Sequence, residues 1–428
     1  MKTDYGAIAR AHLAAGEWAE ALAVAQAASQ AFPGEGTWHH LAAVCYEGLQ
    51  QPAAAAGAYR QALALDASNG ELWCGLAQLL TQQQRIPEAL AVYEEGAIAC
   101  PGFWGLYLNW GNLLLMLGEP EAALAVYGRG GTHPDVQANR DMVQDILRNP
   151  APYYQNLTQG AIAQRQWETA YRHYQRYLAH APALDWATVQ PWWQAVGTQA
   201  LTWQEAALER FPEEEALHYE VMVQRLRGGD PLGAIAQAQE ALTRFPENYT
   251  FRLWERLLVP TIYNDAAEIA FYRQRYAEGL AQLLQETVLA TPEARRQALA
   301  GIGRFSNFYL NYQGYDDRPL QEQYGELVYR IVAANFPDGV QPLPRPPVTG
   351  PIRIGFLSQF LRSWSGTYLF LGWLQNLDPA RFAVYAYALS PESDGITEQF
   401  RACSERFTLL PADPGTAAQQ VRGDRLQV

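Results

Sequence analysis

Apolar and small residues return along the first part of the chain with a period of 34. Ala21, Ala55, Ala89 and Ala123 hold one phase, and Tyr59, Tyr93 and Tyr127 hold another. A ring recurs at Tyr5, His39, Trp73 and Tyr107, and a small residue at Ala9, Ala43, Ala77 and Gly111. A period of this length predicts a repeated pair of antiparallel helices that buries its apolar face only by stacking on its neighbours. The alanines belong where the two helices of a pair press together and only a small side chain fits. The recurring Tyr and Trp residues are read as core. Pro33 and Pro101 stop helices, and Gly16, Gly118 and Gly229 fall at turns inside the pairs. Such a stack is a binding surface before it is anything else.

Ring, small residue, Ala and Tyr in this order is the tetratricopeptide signature. The first four repeats span roughly residues 2 to 137. Beyond them Leu157, Ala170, Tyr174 and Pro182 keep the frame in a repeat near 151 to 184. Ala200, Ala207 and Pro212 return as Ala234, Ala241 and Pro246, so about seven repeats end near 250, the sixth being the most degenerate. Residues 251–341 keep a helical pattern without the period and read as a spacer, with aromatics and Arg dominating Phe271 to Tyr276. Residues 342–351 read as a stiff proline-rich hinge.

After the hinge the pattern changes. Ile352 to Ser358, Phe382 to Leu389 and Phe407 to Leu410 are written as strands, with helices over 366 to 377, Ile396 to Ser404 and Thr416 to Arg422. Alternation of this kind predicts a parallel, doubly wound sheet. Leu426-Gln427-Val428 reads as the start of another strand, so residues 352–428 are expected to be an incomplete α/β lobe with one open sheet edge, a route to self-association.

Charge and composition narrow the function. The chain carries a net charge of −13, which argues against a nucleic-acid partner. Lys2 is the only lysine. Cys45, Cys74, Cys100 and Cys403 form no C-x-x-C pair, so no metal site or disulfide framework is expected and a reducing cytoplasm fits. His39-His40 is too isolated for a metal site. The N-terminus shows no apolar signal core, and no run is long enough to span a membrane. Gly355 with Ser358 lacks the G-x-G-x-x-G spacing of a phosphate loop, and no cofactor is expected.

Arg353-Ile354-Gly355-Phe356-Leu357-Ser358 and Phe370-Leu371-Gly372-Trp373-Leu374 point further. With Phe382 to Tyr387 and the run Asp394, Thr397, Phe400, Arg401 and Phe407, they resemble the O-GlcNAc transferases and their SPINDLY-type bacterial relatives. The fold this implies is mostly α: a tetratricopeptide superhelix, a helical spacer and a partial α/β Rossmann-like lobe of the GT-B type. In that family the loop after the first strand carries a histidine facing the sugar-transfer site. Here Trp364 stands at its position, and no histidine follows His218. Indole does not exchange a proton near neutral pH as imidazole does. Trp364 is either a plug or a plain surface substitution. The family's nucleotide-sugar sits on a second lobe, which is not in these 428 residues.

The resemblance also implies asparagines that hold target backbone on the concave face of the repeats. Asn109 and Asn156 fall at the matching position, with Asn112 one turn beyond Asn109. Ala7, Leu41 and Gly75 occupy that position in the earlier repeats. An amide both donates and accepts, so it can clamp an extended peptide whatever its sequence; solvated helix residues are the plainer alternative. The expected function is a protein-binding repeat module with no catalytic residues of its own. The alternative is part of a longer protein glycosyltransferase that uses a UDP-sugar.

Overall fold

The computed structural model describes residues 4–341, 347 and 350–428. Most of the expected proline-rich hinge therefore lies outside the described residues. The contacts divide the chain into two units, residues 1–217 and 218–428, each described by itself.

The first unit begins with four helical hairpins. They are α1 (Tyr5–Ala15) with α2 (Trp18–Ala31), α3 (Gly36–Gly48) with α4 (Pro52–Leu65), α5 (Gly70–Gln82) with α6 (Ile86–Ala99), and α7 (Trp104–Met116) with α8 (Pro120–Arg129). Ala21, Ala55, Ala89 and Ala123 are fully buried, as the 34-residue phase requires. The turn inside each hairpin needs a left-handed residue. Gly16 and Gly118 take it with φ of 73° and 83°, and Gln50 and Gln84, one and two repeats on from Gly16, accept it with φ of 57° and 60°. At Gly118 a side chain is excluded for a second reason: an added Cβ would lie 2.6 Å from the His173 ring.

The frame then slips. Helices α4 and α6 have 14 residues, whereas α8 stops after 10 at Arg129, where Gly128, Gly130 and Gly131 remove the propensity to continue. A further helix, α9 (Pro134–Arg148), starts four residues earlier than the period dictates. The fourth hairpin therefore ends before residue 137, and α9 has no counterpart in the sequence-based expectation. The unit continues with α10 (Ala151–Ala163) packed on α11 (Trp167–His180), then α12 (Trp186–Val196) and α13 (Ala200–Arg210). Helix α12 contains Pro191 and runs into a 3₁₀ turn at Gly197–Gln199, which is the physical form of the degenerate sixth repeat.

Helix α14 (Glu215–Arg227) straddles the division of the chain. In the second unit α15 (Pro231–Arg244), α16 (Tyr249–Leu257), α17 (Ala266–Glu286), α18 (Pro292–Gly303) and α19 (Arg318–Asn335) share one core around Phe251, Tyr276 and Leu327. The α/β lobe follows as β1 (Ile352–Ser358), α20 (Thr367–Asn376), β2 (Phe382–Ala388), α21 (Gly395–Cys403), β3 (Arg406–Leu409) and α22 (Pro414–Gly423).

The sheet is parallel in the order β1-β2-β3, with Ile352 opposite Phe382 and Tyr385 opposite Arg406. Successive residues of β2 point to opposite faces, and both faces are covered. Val384, Ala386 and Ala388 pack with Leu371 and Leu374 of α20 and Phe400 of α21. Ala383, Tyr385 and Tyr387 pack with Ala417 and Val421 of α22. This is why β2 is written as an unbroken apolar run.

The other edge of β1 is occupied. The Gly355 N–H donates to the Val428 carbonyl at 2.9 Å, and the Gln427 N–H donates to the Arg353 carbonyl at 3.0 Å. The Gln427 side chain also accepts from the Arg353 N–H at 2.8 Å. Among the described residues the sheet is thus left open along β3 and at the Leu357 end of β1, where that side chain is exposed. That strand has four residues and carries Arg406, and short charged edges discourage pairing with another chain.

Candidate functional site

Helices α3, α5, α7 and α9 begin after Glu35, Asn69, Phe103 and His133, so the interval is 34, 34 and then 30 residues. Counting from these caps, the residue that matches Asn109 on α9 is Asn139; the unbroken period would have put Val143 there, which is fully buried. The sequence signal for Asn139 was present in Gly130-Gly131 followed by Pro134, which end one helix and start the next. Asn156 holds the same place on α10, six residues after its cap Pro150.

The structure ties several of these amides together. The Tyr127 hydroxyl donates to Asn112 Oδ1 at 2.7 Å, and Asn139 Nδ2 donates to the same oxygen at 2.8 Å. Asn112 is left with its amide protons for an outside acceptor, and Asn139 with its carbonyl oxygen for an outside donor. Half-buried Asn109 lies beside the Cys74 thiol. Burial pushes that thiol up to about 11, the nearby Asn109 acting in the opposite direction, so Cys74 is a neutral packing residue rather than a nucleophile. Asn156 is exposed on α10, outside the bonds that join Asn112, Tyr127 and Asn139. Helices α7 and α10 carry no charged residue at all.

In the α/β lobe Trp364 is half exposed and stacks on Phe360, with ring centroids 4.8 Å apart. The loop that carries it is braced on both sides. Ser363 N–H donates to Asp394 Oδ2 at 2.7 Å, and Arg362 pairs with Glu392 at 2.9 Å. Asp394 also accepts from the Ile396 and Thr397 N–H groups at the start of α21. These bonds, the one from Ser363 foremost, hold its carboxyl below the usual range. A carboxylate held ionised in this way is a poor proton donor. Among the described residues no three His, Cys, Asp or Glu side chains are grouped to hold a metal ion, and no helix is long and apolar enough to cross a membrane.

Comparison with known proteins agrees with the helical hairpins. The tetratricopeptide-repeat family model matches residues 7–69 and 46–102. No curated protein sequence matches the chain significantly. Among solved structures, the Pseudomonas aeruginosa protein pilF is 18% identical over 52% of this chain and 89% of its own, with a TM-score of 0.27. YrrB, described as a tetratricopeptide protein with an unusual peptide-binding site, is 15% identical over 52% of this chain and 92% of its own, with a TM-score of 0.23. A mutant of the Thermobaculum terrenum O-GlcNAc transferase is 15% identical and aligns with 100% of this chain, which spans 46% of that one, at a TM-score of 0.22. At these scores none of the three assigns an activity. The chain is mostly helical, begins with tetratricopeptide repeats, and carries a small parallel α/β sheet near residue 428.

Proposed function

We propose that this chain is a cytoplasmic protein-binding repeat module that holds an extended peptide by its main chain. The observation that carries this reading is the amide group of Asn109, Asn112 and Asn139, of which Asn112 and Asn139 are tied to each other and to Tyr127. Peptide main chain offers alternating N–H and C=O groups, and a carboxamide can answer both. Since α7 and α10 are uncharged, the contact along those two helices does not depend on a charged partner motif, whereas α9 places Arg140 and Asp141 beside Asn139. Asn156 would extend the contact along α10.

The test is affinity capture with the full chain against the Asn109→Ala/Asn112→Ala/Asn139→Ala variant. The variant should lose the proteins that the unaltered chain retains, and retention by the unaltered chain should survive raised salt. An identical captured set from both would overturn the reading.

The same reading holds that this chain alone does not transfer sugar. It is supported by Trp364 where the resembled transferases have histidine, and by the full engagement of Asp394 in backbone bonds. Protein labelling or UDP-GlcNAc hydrolysis above a blank would refute that part while leaving peptide capture untouched.

A further inference from the structure

At the C-terminal end of β1 a cleft of about 290 Å³ opens between the strand, the loop after it and α20. Five rings line it: Phe356, Phe360, Trp364, Phe370 and the fully buried Phe400. Ligands of parallel α/β sheets gather at this end of the strands. We propose that the cleft is a binding site for a neutral aromatic molecule of about two fused rings bearing a hydrogen-bond acceptor. This site lies in the lobe and is independent of the peptide-holding repeats.

Each part of that description follows from the lining. Ligand pockets run from roughly 300 to 1,000 Å³, so a cleft of this size holds a small molecule only. Aromatic walls favour a ring, which gains from offset and edge contacts beyond simple burial. No lining residue is ionisable and the ring faces repel negative charge, so an anion entering the cleft would be desolvated without a partner. Arg362 lies over Trp364, 5.9 Å from the ring centroid, but its charge is paired with Glu392.

Of the two hydroxyls in the lining, Ser358 supplies the polar contact. Thr367 is nearly buried and its O–H donates to the Phe360 carbonyl at 2.8 Å. Ser358 Oγ accepts from the Phe360 N–H at 3.0 Å, which leaves its own proton for an acceptor on the ligand. The braces from Ser363 to Asp394 and from Arg362 to Glu392 hold the Trp364 wall before any ligand arrives.

The experiment is a titration of the full chain with quinoline, followed by saturation-transfer NMR, beside quinoline-6-carboxylate as an anion of similar shape. Quinoline should saturate, and the anion should bind at least about tenfold more weakly. Trp364→Ala should weaken quinoline about fivefold by removing one wall. Gly366→Leu should abolish binding: Gly366 lines the cleft, has φ of −82° and leaves an added Cβ no neighbour within 4 Å, so the backbone accepts the change. Leu369→Ala and Trp373→Ala, exposed on α20 and outside the lining, should leave binding unchanged. The proposal fails if quinoline does not saturate or if the anion binds equally well. It also fails if Gly366→Leu has no effect, or if the Leu369 and Trp373 variants abolish the signal and so assign it to the outer face of α20.

Discussion

In the hairpins α1 to α8 the interfaces join helices one or two apart in the sequence, and alanines such as Ala55 and Ala89 are fully buried in them. In the α/β lobe the outer side of β1 is bonded by a segment 74 residues away, through Arg353 and Gln427. One region is assembled from local pairings that repeat; the other closes only when distant pieces of chain arrive. Local pairing makes the hairpins tolerant of sequence between their contact points and intolerant at them. Non-local pairing places the lobe's sensitivity in its strands and in the few residues that bridge its ends.

The sharpest way to break that contrast is at a hairpin contact point with two constraints. Gly118→Ala should destabilise the first unit by about 2–4 kcal/mol in urea unfolding, because it meets both the left-handed turn and the His173 ring. Gly16→Ala, with the same turn and open space around it, should cost only about 1 kcal/mol. Equal costs would show that backbone conformation alone decides both positions. Next in size, Ala89→Leu should cost about 1–3 kcal/mol through overpacking, measured the same way. A neutral result would mean that the buried alanine phase is not a close contact.

In the lobe the readout is hydrogen exchange. Gln427→Ala should speed exchange at the Arg353 amide, which loses its side-chain acceptor, and leave β2 amides protected. Fast exchange throughout 382–388 would mean that the sheet is held as one fragile body rather than from a covered central strand.

The smallest effect concerns pH. Burial, aided by Arg172 and Arg176, lowers the pKa of His173 from its ordinary 6.5, so the folded state prefers the neutral ring. The stability linked to this group is complete above pH 6.5 and is lost as pH falls from there through the lower folded value. His173→Gln should flatten the first unit's urea midpoint between those limits, while the lobe's midpoint should not respond. An unchanged pH profile in the variant would assign the dependence elsewhere.

The alternating apolar runs determined the lobe's three strands and three helices to within two residues, because a strand buried on both faces and a capped amphipathic helix each leave a local signature. The 34-residue period likewise determined which alanines and tyrosines are buried through Tyr127, since each contact lies within one repeat or between adjacent ones. Beyond that point the period misleads, for a reason visible only in three dimensions. Once α8 ends a turn early, α9 re-registers against α7 and α8, and the amide partner of Asn112 becomes Asn139 rather than a residue at the full period. Tertiary structure alone also joined Gln427 and Val428 to β1, and braced the loop of Trp364 on Asp394 as the wall of a cleft. Those contacts join residues that face each other without sharing any local pattern. A sequence records the propensity of each partner but not the meeting of the two.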